Sequence, residues 1–202
     1  MARQHILVAT SNSGKLRDLA GAASHYGIEV AQIPNFDSLP PVIEDGQTFE
    51  ANACKKAEQY SRYVPAEVVI ADDSGLEVDA LGGEPGLYTA RFGGPGLDDR
   101  DRWQLLLERL RGVPPFRRTA RFRCVIALAG GALGEKVVEG VAEGVIAEAP
   151  RGEGGFGYDP VFFYPPLGRT FGELSDEDKA RVSHRGLALA AARRLLGGQS
   201  VS

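Results

Sequence analysis

The opening of the chain constrains its fold most. HILVAT at positions 5–10 is an apolar run of strand length, and the polar turn SNSGK (11–15) ends it. Apolar residues then recur at helical spacing at Leu16, Leu19, Ala20 and Ala23. A strand that passes through a polar turn into a helix is typical of α/β folds. We therefore expect strands and helices to be interspersed along the rest of the chain.

Later segments keep this mixture. Strands are predicted at IEVAQI (28–33), EVVIA (67–71), TARFRCVIALAG (119–130), EKVVEGVAEGVIAEAP (135–150) and VFFYP (161–165). EVVIA is expected to end at Asp72 and Asp73. Because the middle strands have no helices between them, we predict an α/β fold with a long central mixed sheet flanked by helices.

Helices are predicted where cap residues precede amphipathic segments. Thr48 suits the N-cap of a helix on which Asn52 and Lys56 share one face, at i and i+4. Ser183 suits the cap of the last helix. The elements together predict one domain over residues 1–197 and a flexible tail over 198–202.

Composition excludes several classes of protein. Of 202 residues, 43% are hydrophobic and 25% are charged, and the formal net charge of −4 gives no basic bias toward nucleic acid. The two cysteines and three histidines show no zinc-ligand spacing. The apolar-leaning start is too short for a signal peptide or a membrane span. We expect a cytoplasmic protein that binds neither nucleic acid nor membranes.

The segment TSNSGK (10–15) predicts an anion site. Turn amides and the positive end of a helix dipole would both point at a ligand, and Lys15 adds a full charge. The segment is not a Walker A loop, because the first glycine of that motif is missing and Leu16 replaces its Ser/Thr. An ordinary helix cap with a solvated lysine is the alternative.

Carboxylates form a second candidate group. Asp72 and Asp73 follow a predicted strand, and sites of α/β proteins gather where strands end. Glu44, Asp45 and Glu50 lie before and within an earlier helix and could join them. Mg²⁺ prefers such oxygens and usually takes one or two carboxylates plus substrate phosphates. The alternative is a turn whose carboxylates cap backbone N–H groups.

The glycine-rich segment GEGGFGYDP (152–160) could bind a planar base. Phe156 or Tyr158 could stack on it, and Asp159 could accept hydrogen bonds from ring N–H groups. A tight hairpin loop with its aromatic rings in the core is the alternative.

The segment DKARVSHRG (178–186) brings donors to a helix start. They are Lys179, His184 and Arg185, which suit phosphate or a base carbonyl, and a solvated helix terminus is the alternative. Together with the preceding segments they predict binding of a nucleoside triphosphate with metal-assisted attack on phosphorus.

Five segments resemble, in the same order, the inosine/xanthosine triphosphate pyrophosphatase family. They are VATSNSGKLRDL, TFEANACKKA, IADDSGLEVDALGGEPGLYTARF, GGFGYDPVFF and ELSDEDKARVSHRGLAL, and they span nearly the whole chain. The resemblance implies hydrolysis of ITP, dITP or XTP to the monophosphate and pyrophosphate, which clears damaged nucleotides before polymerases use them. It also implies dependence on Mg²⁺, a homodimer, and two lobes around a nucleotide-binding cleft.

The resemblance assigns roles to particular residues. The triphosphate loop falls on Thr10, Ser11, Asn12, Ser13, Gly14 and Lys15. Asp73 matches the general base and metal ligand, Ser74 matches a substrate contact, and Asp72 is expected to help by holding the turn or a metal-bound water. The base-binding loop falls on Phe156 as the stacking ring, with Gly157, Tyr158 and Asp159. Lys179, His184 and Arg185 match the last block, in which the His–Arg pair contacts the purine edge.

Glu44 is the candidate for the second metal carboxylate of the family. Many relatives carry an acidic pair before the Gly-x-Thr-Phe segment, whereas this chain has Ile43 at the first of those places, so Glu50 is the alternative ligand. Two rival functions are a Maf-like pyrophosphatase for modified pyrimidine nucleotides and a non-catalytic nucleotide-binding protein. GGFGYDP and SHRG argue against the first, and the presence of Lys15 and Asp73 argues against the second.

Overall fold

A mixed β-sheet is the main feature of the fold. In this computed structural model, which describes residues 4–131 and 133–197, seven strands form the sheet. They are β1 (Gln4–Val8), β2 (Ile28–Gln32), β3 (Val69–Val78), β4 (Thr119–Ala129), β5 (Lys136–Ile146), β6 (Phe162–Tyr164) and β7 (Arg169–Thr170). The order is β2-β1-β3-β4-β5-β6-β7, with β1 parallel to β2 and β3, and β6 antiparallel to β5 and β7. The predicted α/β fold with a mixed sheet is confirmed.

Helices accompany the sheet through the described part of the chain. They are α1 (Ser13–His25), α2 (Phe49–Ser61), α3 (Asp99–Arg109), α4 (Asp176–Val182) and α5 (His184–Gly197). Thr48 caps α2 as predicted, because its side chain accepts a hydrogen bond from the N–H of Ala51. Within the described residues, no helix has the length and apolar character needed to cross a membrane.

The chain divides into two compact units. The first unit contains the described residues up to Asp73, those of Cys124–Gly140, and those from Ala180 onward. The second unit contains Ser74–Arg123 and Val141–Lys179. The predicted tail over residues 198–202 lies outside the described residues, and the single catalytic domain over 1–197 stays a prediction.

The core of the first unit joins β1, β3 and β4 to helices α1 and α5. Ile6 and Val8 of β1, Leu19 of α1 and Leu189 of α5 are fully buried in it. Burial of one such side chain contributes about 1.5–3 kcal/mol relative to leaving it exposed. Because these elements share one core, the polar residues at their ends are held in fixed positions.

The core of the second unit is aromatic. The ring centroids of Phe122 and Phe162 lie 4.6 Å apart, and Phe171 lies 4.8 Å from Phe162. Such ring pairs stabilise a core beyond the area that they bury. This cluster anchors β6, the strand that follows the glycine-rich loop at residues 151–158, against β4.

Strand β3 is longer than the sequence predicts. It was expected to end at Asp72 and Asp73, but it runs on to Val78, so both aspartates lie inside it and the predicted turn is wrong. The pairing of β1 with β3 includes Val8 and Ile70, after which β1 ends. The two carboxylates therefore lie just past the carboxyl end of β1, where α/β proteins bind ligands.

Candidate active site

Asn12 caps helix α1 and shapes the loop after β1. Its Oδ1 accepts a hydrogen bond from the N–H of Lys15 at 3.0 Å, and its own N–H donates to Oγ1 of Thr10 at 3.1 Å. Ser13 and Gly14 occupy the first turn, where helix geometry leaves N–H groups without an intrahelical acceptor. The segment thus contains a helix cap, and the same geometry suits an anion.

Asp72 is buried among three cations of the first unit. Its Oδ2 lies 3.1 Å from Nζ of Lys15 and 3.4 Å from Nε of Arg185, while its main-chain oxygen accepts a hydrogen bond from Lys56 at 2.7 Å. Burial alone would raise the pKa of Asp72, but the charges of Lys15, Arg185 and Lys56 outweigh it and hold the pKa well below its usual value. Asp72 is therefore an anion at neutral pH and anchors Lys15, which is not a solvated lysine.

Asp73 lies in a different environment, although it is the next residue. Nδ2 of Asn52 donates to its Oδ2 at 2.9 Å, and Nζ of Lys56 lies 3.7 Å from its Oδ1. Burial raises the pKa of Asp73, Lys56 and Lys15 offset that rise only in part, and the nearby charge of Glu44 adds to it. The carboxylate of Asp73 is consequently a stronger base than that of a free aspartate.

Helix α2 supplies two site residues that were not among the predicted ones. Asn52 and Lys56 are 4% and 7% exposed, and Nζ of Lys56 also donates to Oε2 of Glu44 at 2.9 Å. Burial alone would lower the pKa of Lys56, but the charges of Asp72, Asp73 and Glu44 outweigh it and raise the pKa. The sequence carried a signal for both residues, since two polar residues share one helix face at i and i+4.

Glu44, rather than Glu50, is the carboxylate that the structure brings to Asp73. Glu44 shares the ammonium of Lys56 with Asp73, and its charge acts on the pKa of Asp73. Glu50 is exposed on α2, and its charge acts on Cys54 instead. Burial of the Cys54 thiol, together with Glu135 and Glu50, raises the pKa of that thiol to about 11. Over residues 4–131 and 133–197, no group of three or more His, Cys, Asp or Glu side chains is arranged to hold a metal ion.

The start of helix α5 packs directly against strand β5. A Cβ atom at Gly140 would lie 2.2 Å from the main-chain oxygen of His184, so only glycine permits this approach. Arg185 is 5% exposed, and its Nη1 lies 3.2 Å from Oδ2 of Asp18 in addition to its contact with Asp72. A solvated helix terminus is excluded, because His184 is buried as well.

The glycine-rich loop of the second unit treats its two aromatic residues differently. Tyr158 is buried, and its hydroxyl donates to the main-chain oxygen of Thr89 at 3.0 Å. Phe156 stays half-buried, with Nζ of Lys179 at 5.1 Å from its ring centroid. Phe156 is therefore the ring that can stack on a ligand. The alternative in which the aromatic rings lie in the core applies to Tyr158 alone.

Two carboxylates of the second unit hold this loop. Oδ2 of Asp159 accepts from the N–H of Phe156 at 2.8 Å and from Nζ of Lys179 at 2.7 Å. Oδ2 of Asp99, on α3, accepts from the N–H of Gly157 at 2.7 Å. Asp99 was not among the predicted residues, because a contact across 58 positions leaves no local pattern in the sequence.

The predicted residues fall into one group in each unit. In the first unit, the loop at residues 10–15 contacts the anion of Asp72 through Lys15, and Arg185 contacts it from α5. Glu44 and Asp73 share Nζ of Lys56, and His184 is buried next to Arg185. In the second unit, Phe156 and Lys179 are joined through Asp159, while Ser74 follows Asp73 in β3 and is half-buried. The first group combines hydrogen-bond donors that suit phosphate with carboxylate oxygens. The second group offers the face of an aromatic ring.

Known proteins match this chain over nearly its whole length. The model of the Ham1 family matches residues 6–195. A dITP/XTP pyrophosphatase of Geobacillus kaustophilus is 50% identical over 186 residues, which cover 92% of this chain and 91% of that protein. The Ham1 protein of Staphylococcus aureus superposes with a TM-score of 0.83 at 39% identity, covering 98% of this chain and 100% of that chain. A HAM1 protein of Coxiella burnetii gives a TM-score of 0.82 at 37% identity, with coverage of 96% and 99%. The resemblance seen in the sequence is confirmed: this chain belongs to the Ham1 family.

Proposed function

We propose that this protein hydrolyses non-standard purine nucleoside triphosphates (ITP, dITP and XTP) to the monophosphate and pyrophosphate. A relative that is 50% identical carries the name dITP/XTP pyrophosphatase. The observation that carries the proposal is a juxtaposition in the first unit. Lys15, at the start of α1, lies beside Asp72, whose neighbour Asp73 shares the ammonium of Lys56 with Glu44.

The triphosphate is proposed to bind at the start of α1. Ser13 and Gly14 lie in the first turn, where N–H groups have no intrahelical acceptor, and the helix dipole favours an anion there. Nζ of Lys15 has three donors and contacts Asp72 at 3.1 Å, which leaves donors for phosphate oxygens. Thr10, Ser11 and Asn12 shape the loop that presents these groups.

Glu44 and Asp73 fit a divalent cation, which we propose to be Mg²⁺. Both supply hard oxygen donors from separate elements, and both already contact one cationic group, Nζ of Lys56. Burial raises the pKa of Asp73, which indicates that its charge is incompletely compensated by its neighbours. Two protein carboxylates suffice, because Mg²⁺ usually completes its shell with water and substrate phosphates. A bound Mg²⁺ would polarise a phosphoryl oxygen and acidify water.

Asp73 is the proposed general base. Its carboxylate would orient the attacking water and accept its proton as the new oxygen–phosphorus bond forms. The anhydride bond between the α- and β-phosphates then breaks, and pyrophosphate leaves. Lys15 and the turn amides would stabilise the charge that develops on the leaving group.

The purine is proposed to stack on Phe156, as the family resemblance implies. Stacking of a base on an aromatic ring contributes about 1–3 kcal/mol and does not depend on which base is bound. Gly157 and Tyr158 shape the loop, and Asp159 fixes Phe156 and Lys179. Selectivity against ATP is proposed to come from donors that pair with the 6-keto oxygen of hypoxanthine and xanthine, because they would face the 6-amino group of adenine unfavourably. GTP carries the same 6-keto oxygen, so its rejection needs a different contact. Contacts of Ser74, His184 and Arg185 with the substrate stay predictions, as does the homodimer.

Release of pyrophosphate from a panel of nucleotides tests this function. We expect turnover of ITP, dITP and XTP far above that of ATP and GTP, and its loss when EDTA replaces Mg²⁺. Preference for dUTP or dTTP would instead favour a Maf-like activity. Binding of ITP without release of pyrophosphate would show a non-catalytic nucleotide-binding protein.

A further inference from the structure

We infer that Asn52 is a positioning residue that sets the placement of Glu44 relative to Asp73. Its side chain joins Asp73 to the Glu44 loop, defined here as residues 43–48 between a 3₁₀ turn and helix α2. The inference rests on the proposed function, since it assigns Asn52 a role toward the two carboxylates proposed to bind Mg²⁺.

The amide of Asn52 bridges two elements that are far apart in sequence. Its Oδ1 accepts a hydrogen bond from the N–H of Gly46 at 2.8 Å, and its Nδ2 donates to Oδ2 of Asp73 at 2.9 Å. An N–H group can only donate and an ionised carboxylate can only accept, so one orientation of the amide satisfies both partners. Asn52 is 4% exposed, and water does not compete freely for these bonds.

Gly46 is shaped for this bridge. A Cβ atom at that position would lie 2.6 Å from Oδ1 of Asn52 and 2.9 Å from Cβ of Ala51. Any side chain at residue 46 would therefore push the loop away from α2. The backbone of the Glu44 loop approaches the helix closely because the residue there is glycine.

Lys56, one helical turn after Asn52, makes a second connection between the same elements. It contacts Glu44 at 2.9 Å and the main-chain oxygen of Asp72 at 2.7 Å. The two connections differ in charge. Lys56 competes with any cation for the carboxylates, whereas the neutral amide of Asn52 orients Asp73 without adding positive charge. Asn52 is therefore the residue whose connection remains compatible with a bound cation.

Substitution of Asn52 or Gly46 tests the inference from both ends of one hydrogen bond. Groups that orient metal ligands typically contribute about 10–100-fold to metal affinity or activity. We expect Asn52→Ala and Gly46→Ala each to raise, by about 10-fold or more, the Mg²⁺ concentration for half-maximal pyrophosphate release from dITP. The double variant should be no worse than the more affected single variant, because both changes break the same contact.

A matched control comes from the same helix and the same stretch of chain. Nε2 of Gln59 donates to the main-chain oxygen of Pro40 at 3.1 Å, an exposed contact that does not involve the carboxylates. Gln59→Ala should keep the wild-type dependence on Mg²⁺. Mn²⁺ binding to the nucleotide-free protein, measured by electron paramagnetic resonance, gives a readout independent of turnover and should weaken only in the Asn52 and Gly46 variants.

The outcomes are distinguishable. If folded Asn52→Ala keeps wild-type Mg²⁺ dependence and Mn²⁺ affinity, Asn52 has no positioning role. If thermal melting shows that Asn52→Ala does not fold, Gly46→Ala carries the same test, and its wild-type behaviour would overturn the inference. If the wild-type protein releases no pyrophosphate from any purine triphosphate, the proposed function fails, while the Mn²⁺ titration still tests the role of Asn52.

Discussion

Asp72 and Asp73 are adjacent in strand β3, yet their pKa values shift in opposite directions. Successive side chains of a strand point to opposite faces, so the two carboxylates meet different neighbours. Asp72 contacts Lys15 and Arg185, whose charges outweigh burial and lower its pKa. Burial dominates at Asp73 and raises its pKa. One residue is thus suited to anchor cations, and the other is suited to accept a proton.

Replacement of Asp73 by Asn should remove activity without destabilising the fold. A positioned general base contributes about 10²–10⁴-fold, so we expect kcat at saturating Mg²⁺ to fall by at least about 100-fold. Because the folded pKa of Asp73 is raised, its charged form costs stability at every pH above that value. In buffer without Mg²⁺, Tm of Asp73→Asn should match or exceed that of the wild type. A near-normal kcat would contradict the assignment of Asp73 as the base.

Replacement of Asp72 by Asn should, unlike that of Asp73, destabilise the fold. Removing one partner of a buried ion pair leaves the other charges uncompensated, which costs about 3–5 kcal/mol. We expect the free energy of unfolding, measured in urea, to fall by about 3 kcal/mol, with activity reduced through the displacement of Lys15. Glu58→Gln removes the exposed pair with Arg62 and is the matched control, for which the change should stay below about 1 kcal/mol. Equal effects of the two substitutions would mean that the Asp72 cluster does not stabilise the fold.

The stability difference between the wild type and Asp72→Asn should depend on pH. The pKa of Asp72 is lowered by folding, so its contribution is fully present above the unfolded value of about 3.9 and is lost as pH falls toward the folded value. The difference should be constant between about pH 5 and 8 and should narrow below about pH 4. Urea titrations at a series of pH values measure it, and a difference that stays constant to pH 3 would show that the pKa of Asp72 is not lowered.

Local signals in the sequence predicted much of the first unit. The apolar run before TSNSGK and the cap residue Thr48 are signals within a few residues, and both α1 and α2 begin where those signals place them. The polar pair at Asn52 and Lys56 was visible as one helix face. Its role was not, because a polar helix face is usually solvated and its partners Glu44 and Asp73 lie on other elements.

Long-range compensation explains what the sequence could not predict. Asp72 interrupts an apolar run and therefore resembled the end of a strand, but cations from residues 15 and 185 neutralise it and β3 continues. Likewise, nothing in GEGGFGYDP distinguishes Phe156 from Tyr158. The hydrogen bond from Tyr158 to Thr89, 69 positions away, decides which ring is buried.

Removal of the Phe156 ring should weaken substrate binding more than turnover. Loss of base stacking costs about 1–3 kcal/mol, so KM for dITP should rise by about 5- to 160-fold in Phe156→Ala, with a smaller change in kcat. Phe116→Ala is the control within the second unit, because that ring is 80% exposed and was not assigned to the base-binding loop. Steady-state kinetics on dITP would count against stacking if the two variants showed the same KM.

Arg185 separates two models of base recognition. The family resemblance implies that it contacts the purine edge, in which case Arg185→Ala should lose more activity on ITP than on ATP. The structure shows its guanidinium engaged by Asp72 and Asp18 at 5% exposure, which predicts that kcat/KM falls by the same factor for both substrates. Arg185→Lys keeps the charge and provides a folded variant if Arg185→Ala is unstable. The measurement is kcat/KM for ITP divided by kcat/KM for ATP, in the variant and in the wild type. If this ratio is unchanged, Arg185 anchors Asp72. If it falls toward one in the variant, Arg185 contacts the base.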